Sequence, residues 1–502
     1  MAVIGVDFGT CYSSAGFING DRVMALVPRE ERNVRRVPSV FFHDRKRTLT
    51  GSRAALAGAL YPQFVVEAVK KKLEEPFFVL DDREYEPEEI VREILRYLIA
   101  GAEQSLREEF HSQEADENSD KPLEIVITVP VKFSEPRKKM IRDAAQGIVL
   151  ESGRKVKVIA VIAEPVAAAV EYLGLSAADD KSILVYDLGG GTFDTAIVQA
   201  VDNPKEPYIV IGQDGKGIGG NDWDRRLLQL MEEKLRAEMT ELSGERREAL
   251  LQANHHALLT EARRIKEELS ELEETEASIP LQGSYYDIQV TRQEFDTITE
   301  DLKQQTIRMA SRLRKKHKKH PIADVILVGG GSYMPQIQEA VREAFPECRV
   351  QMANPELAIS YGAARYAKML EQLVSPVRLK ATHTYGIEYL DEEGNSKIFN
   401  LIYSGDELPV SVQRTSKTSA QGRYSQFTVF ESDCTREEKV ADLSRGEEIL
   451  SVKIRRDEAV PAGTESVQTL TLSRDNILEI AAVDSLTGRR VSRRLEIESH
   501  IR

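Results

Sequence analysis

Short, mainly apolar runs bounded by glycine-rich turns dominate the first 370 or so residues, separated by charge-rich stretches of helical period. IVITV at 125–129, VKVIAVI at 156–162, ILVY at 183–186 and VILV at 325–328 are too short for helices, which predicts buried strands. Between about 225 and 272 the pattern is helical and heavily charged, and EADENSDK at 114–121 reads as a polar loop. Strands alternating with helices predict an α/β architecture. From about His383 the texture changes to alternating strands, such as SQFTVF at 425–430, LEIAAV at 478–483 and RLEI at 494–497. Turn signals around Gly394, Gly405, Asp475 and Gly488 separate them, and strands at this spacing predict an all-β sandwich.

A chain of 502 residues is too long for one core, in keeping with more than one unit. The formal charge of −14 argues against a general nucleic-acid binder, whose backbone contacts need clustered Lys and Arg. The basic run RLRKKHKKH at 312–320 reads instead as the solvated end of a helix, where cations complement the dipole. Cys11, Cys348 and Cys434 are too scattered for a zinc site or a disulfide framework. No secretory signal is visible and no run approaches the ~18 apolar residues of a membrane span, so a cytoplasmic protein is expected.

Candidate chemistry concentrates at two turns about 180 residues apart, VDFGT at 6–10 and YDLGGGT at 186–192. Each lies between two apolar runs and reads as strand, tight turn, strand. Turn glycines supply positive φ and let backbone N–H groups approach an anion. The Asp carboxylates can hold Mg²⁺, which prefers one or two carboxylates plus phosphate oxygens. Facing each other, the turns would clamp a nucleoside triphosphate tail. An ordinary hairpin is the alternative, but it needs only one or two glycines, and each in a strand or helix interior costs about 0.5–1 kcal/mol. Glu164 stands where a strand meets a helix opened by Pro165, a place from which a carboxylate can orient water or simply start the helix. Glycines at 329–331 would let a flat purine lie against backbone. Lys70, Lys71 and Lys72 either reach a phosphate or form a solvated face.

The ordered set resembles the actin-like ATPase domain of the heat shock protein 70 chaperone family, and the resemblance covers essentially the whole chain. It rests on VIGVDFGT from Val3, IVITVPVKF from Ile125, VIAEPVAAAV from Val161, VYDLGGGTFD from Val185, GIGGNDWD from Gly217, VILVGGGSYMP from Val325 and NPELAISYGAA from Asn354. HTYGIE from His383 and NLIYSGDELP from Asn400 look like that family's peptide-binding β-sandwich. The resemblance implies a duplicated, ribonuclease H-like α/β domain over 1–371, a linker over 372–382 and a β-sandwich over 383–502, and as a departure from the family pattern no helical lid is expected. It further implies slow, Mg-dependent ATP hydrolysis with ATP and ADP as ligands, unfolded or extended polypeptide as client, and J-domain and nucleotide-exchange partners. Neither nucleic acid nor membrane is implied.

Position by position, the resemblance puts Asp7 and Asp187 at hydrated Mg²⁺ and Thr10 and Thr192 at phosphates. Glu164 and Asp194 would position the attacking water. Lys71 would touch the γ-phosphate, preferred over Lys70 because Lys71-Lys72-Leu73 fits the family's Lys-Arg-Leu. Gly9, Cys11, Gly189, Gly190, Gly191, Gly219 and Gly220 would cradle the phosphates. Lys266 and Ser270 would bind the adenosine, and Gly329, Gly330, Gly331 and Ser332 would complete the adenine pocket. Ile387, Leu390 and Phe427 would contact peptide, or else form sandwich core. Departures from the family pattern are Cys11 for Thr, Lys138 for Arg, Ala160 for Arg, Ala163 for Asn, and Ser425 for an aliphatic residue. The linker LVSPVRLK at 373–380 replaces an acidic-flanked leucine run, so weak coupling between the units is expected. The alternative is a nucleotide-binding scaffold whose β-domain docks one partner.

Overall fold

The computed structural model describes residues 3–496 apart from 21, 32–34, 111–120, 176–181, 204–205, 353, 372–376, 379, 382, 392 and 474–476. Most of the expected loop at 114–121 and of the linker at 372–382 therefore lies outside the described residues. The chain forms two compact units, one essentially of residues up to 376 and the other essentially of residues from 377 onward.

The first unit contains one strand arrangement twice. In the first sheet Val3–Asp7 is central, with Leu123–Val129 parallel on one side and Tyr12–Asn19 antiparallel on the other. Val156–Ala163 and Arg22–Leu26 extend it outward. In the second, Ser182–Leu188 is central, flanked by parallel Ile322–Val328 and antiparallel Phe193–Ala200, with Arg349–Met352 and Tyr208–Lys216 beyond. The mixed sheets match the α/β, duplicated class expected. The two glycine turns fall at equivalent places, each at the C-terminal end of a central strand. Those central strands are buried along their whole length, which is why they read as unbroken apolar runs.

Helix Ala358–Glu371 crosses the first sheet at unusually close range. A Cβ on Gly5 would lie 2.2 Å from the Ala364 nitrogen, and one on Gly362 would lie 1.7 Å from the Ala167 carbonyl oxygen in helix Glu164–Leu175. Glycine is needed at both places so that backbones can touch. The charged stretch after residue 219 forms helices Gly220–Glu238, Gly244–Ala253 and His255–Glu268. Helix Arg292–Lys316 ends on Arg314, Lys315 and Lys316, as the basic run predicts. Among the described residues no helix is long and apolar enough to cross a membrane.

The second unit is built from two antiparallel sheets. One has the order Val440–Asp442, Ser396–Ile402, Thr384–Leu390, Gly422–Ser432, Gly446–Val460. The other runs Val410–Lys417, Glu465–Leu472, Ile477–Asp484, Arg490–Glu496. Tyr385, Val429, Val452 and Ile454 from the first meet Leu470, Leu478 and Ile480 from the second in one core. The alternating pattern of the sequence is the trace of strands with one face inward.

Gly362→Ala should destabilise the first unit by about 1–3 kcal/mol, the usual range for overpacking a filled site. Urea unfolding followed by intrinsic fluorescence measures this, and an unchanged midpoint would show that the helix crossing can relax.

Candidate functional site

The two turns interlock. A Cβ on Gly190 would lie 2.4 Å from the Cys11 sulfur, one on Gly191 would lie 2.4 Å from Thr10 Oγ1, and one on Gly219 would run into the Gly190–Gly191 backbone at 2.6 Å. The expected positive φ is not the reason for these glycines: among the described residues the site's only glycine in that region is Gly329, at φ 79°. Close approach is the reason, since any side chain would push the turns apart. Gly220 N–H donates to the Gly189 carbonyl and Asn221 N–H to the Gly190 carbonyl, so the start of helix Gly220–Glu238 is tied to the second turn. The Cys11 thiol donates to Asn221 Oδ1 at 3.1 Å. Burial pushes that thiol's pKa up, against the pull of Arg263 and Lys266, and the sulfur stays a neutral thiol.

Between the turns lies a cavity of about 540 Å³. Asp7, Glu164 and Asp187 line it together with Lys70. Asp194 stands directly opposite Asp187 in the antiparallel pair. Lys70 Nζ pairs with Glu164 Oε1 at 2.5 Å and donates to the Phe8 carbonyl, with a side chain only 3% exposed. Thr128 Oγ1 donates to Asp7 Oδ1 at 3.0 Å, and Val131 N–H donates to Asp194 Oδ1 at 2.8 Å. Asp187 Oδ1 and Asp194 Oδ2 are buried with no protein partner.

Four carboxylates share one ammonium here, which leaves a formal charge of −3 if all are ionised. Burial first, and the neighbouring Glu164 second, raise Asp7 to about 7 and Asp194 to about 7. Asp187 is pushed well above the ordinary range by burial, then by Glu164, Asp194 and Asp7. Orphaned carboxylate oxygens in a cluster this negative fit a cation. Among the described residues no three His, Cys, Asp or Glu side chains converge as a ready-made metal cage. The donor set therefore suits a hydrated Mg²⁺ that leans on phosphate oxygens.

The two candidate lysines are placed differently. Lys70, not Lys71, enters the cavity, while Lys71 Nζ pairs at 3.4 Å with Asp222 Oδ2 outside it. Both sit on the 3₁₀ turn Val69–Lys71, where successive side chains point roughly 120° apart. The motif register cannot say which of two adjacent residues faces inward. Gly9, Thr10, Cys11, Gly189, Gly190, Thr192, Gly220, Lys266, Ser270, Gly329, Gly330 and Gly331 all reach the wall. Gly191, Gly219 and Ser332 do not line it. The first two are spent on the packing of the turns, and Ser332, wholly buried, donates its hydroxyl to the Val328 carbonyl at 2.5 Å. Lys266 is held by Asp224 at 2.5 Å. Asp224, Asn221 and Thr128 have no distinguishing signal in the sequence beyond lying in or beside the motifs.

In the second unit Ile387 and Phe427 are 2% and 7% exposed and belong to the sandwich core, while Leu390 is 48% exposed at a strand end. Ser425 Oγ accepts from Arg456 Nη2 at 3.0 Å. Arg456 in turn pairs with Asp484 at 2.5 Å, both essentially inaccessible. Burial would raise the Asp484 carboxyl, but the Thr487 N–H and Arg456 outweigh it and hold it below its usual value.

The sequence pattern of the Hsp70 protein family matches residues 75–501. Chaperone protein DnaK of Halobacterium salinarum is 29% identical over 499 residues, covering 97% of this chain and 73% of that protein. Its counterpart in Thermotoga maritima is 31% identical over 379 residues, covering 73% of this chain and 59% of that protein. Chaperone protein DnaK 1 of a Synechococcus strain is 29% identical over 524 residues, covering 97% and 65%.

A carboxyl whose pKa is raised by folding stabilises the native state fully below its unfolded value and loses that contribution as pH rises through its folded value. For Asp7 and Asp194 that window runs from 3.8 to about 7. In EDTA, Asp194→Asn should therefore gain thermal stability relative to the unsubstituted protein as pH rises from about 5 to about 8. A difference in Tm that is flat with pH would show that Asp194 does not titrate in this range.

Proposed function

Because the chain belongs to the Hsp70 family, we propose that it binds ATP and ADP with Mg²⁺ in the cavity of the first unit and hydrolyses ATP slowly. The observation that carries this reading is the single cavity that brings the glycine turns and the Asp7, Lys70, Glu164 and Asp187 cluster together. In the proposal, backbone N–H groups of the turns and the Thr10 and Thr192 hydroxyls hold phosphate oxygens. Lys70, rather than Lys71, faces the γ-phosphate while Glu164 fixes its position. Glu164 and Asp194 orient the attacking water, Asp194 being itself held by the Val131 N–H. Mg²⁺, leaning on Asp7 and Asp187, would offset the negative charge of carboxylates and phosphates. Phosphoryl transfer asks mainly for such positioning and charge stabilisation. Extended polypeptide as client, J-domain and exchange-factor partners and a cytoplasmic location complete the chaperone reading.

Glu164→Gln should lower turnover about 100-fold with ATP affinity nearly unchanged, because an orienting carboxylate acts mostly in the transition state. Lys70→Ala should cut hydrolysis far more than Lys71→Ala. Single-turnover hydrolysis and calorimetry in millimolar Mg²⁺ test this. Absence of ATP binding in the unsubstituted protein would end the proposal, and a larger loss at Lys71 would return the role to that residue.

A second reading, a nucleotide-dependent scaffold without general peptide chaperoning, draws support from the sandwich. Ile387 and Phe427 are committed to its core, and Ser425 is engaged by the buried Arg456–Asp484 pair. ATPase rate with and without an unfolded peptide separates the two. Stimulation favours the chaperone, and hydrolysis indifferent to peptide favours the scaffold.

A further inference from the structure

Part of the cavity wall is a cluster built by different constraints from those that hold the carboxylates. Tyr12 opens the strand after the first turn and pairs with Pro38 across the ladder, which fixes Arg36 beside it. The Arg36 guanidinium carbon lies 4.0 Å from the centroid of the Tyr12 ring, and its Nη1 donates to Glu356 Oε1 at 2.5 Å. Glu356 follows Pro355, whose carbonyl accepts from the Gly329 N–H at 2.8 Å. The same glycine opens the 3₁₀ turn Gly330–Tyr333 that carries Tyr333. One ladder pairing and one backbone hydrogen bond thus bring Tyr12, Arg36, Tyr333 and Glu356 to one cavity wall.

The chemistry of the four side chains is that of a platform for a flat ring. A guanidinium is planar, weakly hydrated and stacks on aromatic faces. With one face on Tyr12 and its Nη1 held by Glu356, Arg36 is oriented before any ligand arrives, and its charge is balanced. Tyr12 and Tyr333 are, as whole residues, 36% and 40% exposed, although they line a cavity. An exposed aromatic surface beside a fixed guanidinium recognises a π-face, and a nucleobase is the ligand that supplies one next to phosphates.

We infer that Arg36, set by Tyr12 and Glu356, is the residue on which the nucleobase stacks, with Tyr333 as a second stacking surface. The inference rests on the nucleotide-binding reading of the cavity and adds to it a determinant that distinguishes nucleotides from bare polyphosphate. Arg36 touches the base, and Glu356 is a positioning residue that acts through Arg36.

The test is calorimetric titration of the full chain in Mg²⁺ with ATP and, separately, with inorganic tripolyphosphate. Arg36→Gln should weaken ATP binding by about 5- to 100-fold, the range for loss of one stacking partner, and leave tripolyphosphate binding unchanged. Arg36→Lys keeps the charge and the pairing with Glu356 but lacks the planar face, and it should lose most of the same ATP affinity. Glu356→Gln should show a smaller loss, again confined to ATP. These two milder substitutions carry the test should Arg36→Gln fail to fold. Unchanged ATP affinity in the Arg36 variants, or equal losses for ATP and tripolyphosphate, would overturn the assignment while leaving nucleotide binding intact. An unsubstituted protein that binds neither ligand would overturn both readings together.

Discussion

Two backbone turns, far apart in sequence, pack so closely that no Cβ fits between them, and the geometry of the first unit follows from that contact. Gly190 and Gly191 lie against Cys11 and Thr10, and Gly219 lies against the same glycines from the other side. Because each turn ends a central strand, the contact fixes the ends of both sheets relative to each other. Asp7 and Asp187 are consequently drawn into one cluster, and the start of helix Gly220–Glu238 is drawn to its edge. A methyl group at Gly219 would meet the Gly190–Gly191 backbone itself, while one at Gly190 or Gly191 would press on the Cys11 or Thr10 side chain, so each overfills the contact between the turns.

That contact creates an electrostatic problem which the protein alone leaves unsolved. Asp7, Glu164, Asp187 and Asp194 are buried around Lys70, and two carboxylate oxygens have no protein partner. Burying charge is unfavourable unless it is paired, and the raised pKa values of Asp7, Asp187 and Asp194 express that tension. Strained electrostatics of this kind belong to sites prepared for a charged ligand. Lys70 is central because its one ammonium serves both Glu164 and the Phe8 carbonyl next to the first turn.

The second unit places a polar network in its interior. Arg456, Asp484 and Ser425 form a hydrogen-bonded set inside the sandwich, with Gln468 and Ser466 also buried. Removing one member of a buried pair leaves an uncompensated charge, whereas an apolar pair of similar volume can be as stable. The set is thus better understood as fixing which residues face inward than as a source of net stability. It also gives a polar partner to Ser425, at a position where the family resemblance implies an aliphatic residue.

What the sequence determined by itself was the local order. Unbroken apolar runs and period-two alternation marked the central strands and the sandwich strands, because burial on two faces or one leaves those patterns directly in the residues. The paired Asp-Gly-Thr turns likewise marked the site, since close backbone approach requires glycine whatever the fold around it. The tertiary structure alone decided the rest. Whether Lys70 or Lys71 faces inward depends on the rotation of one 3₁₀ turn, which two adjacent lysines cannot encode. Whether Ile387 and Phe427 are surface or core depends on a second sheet supplied from strands as distant in sequence as Arg490–Glu496. Arg36, Tyr12, Tyr333 and Glu356 come from four separated segments, joined in pairs by a ladder pairing and a backbone hydrogen bond. Such juxtapositions have no periodicity and no motif, because the forces that make them act between segments that the chain brings together only on folding.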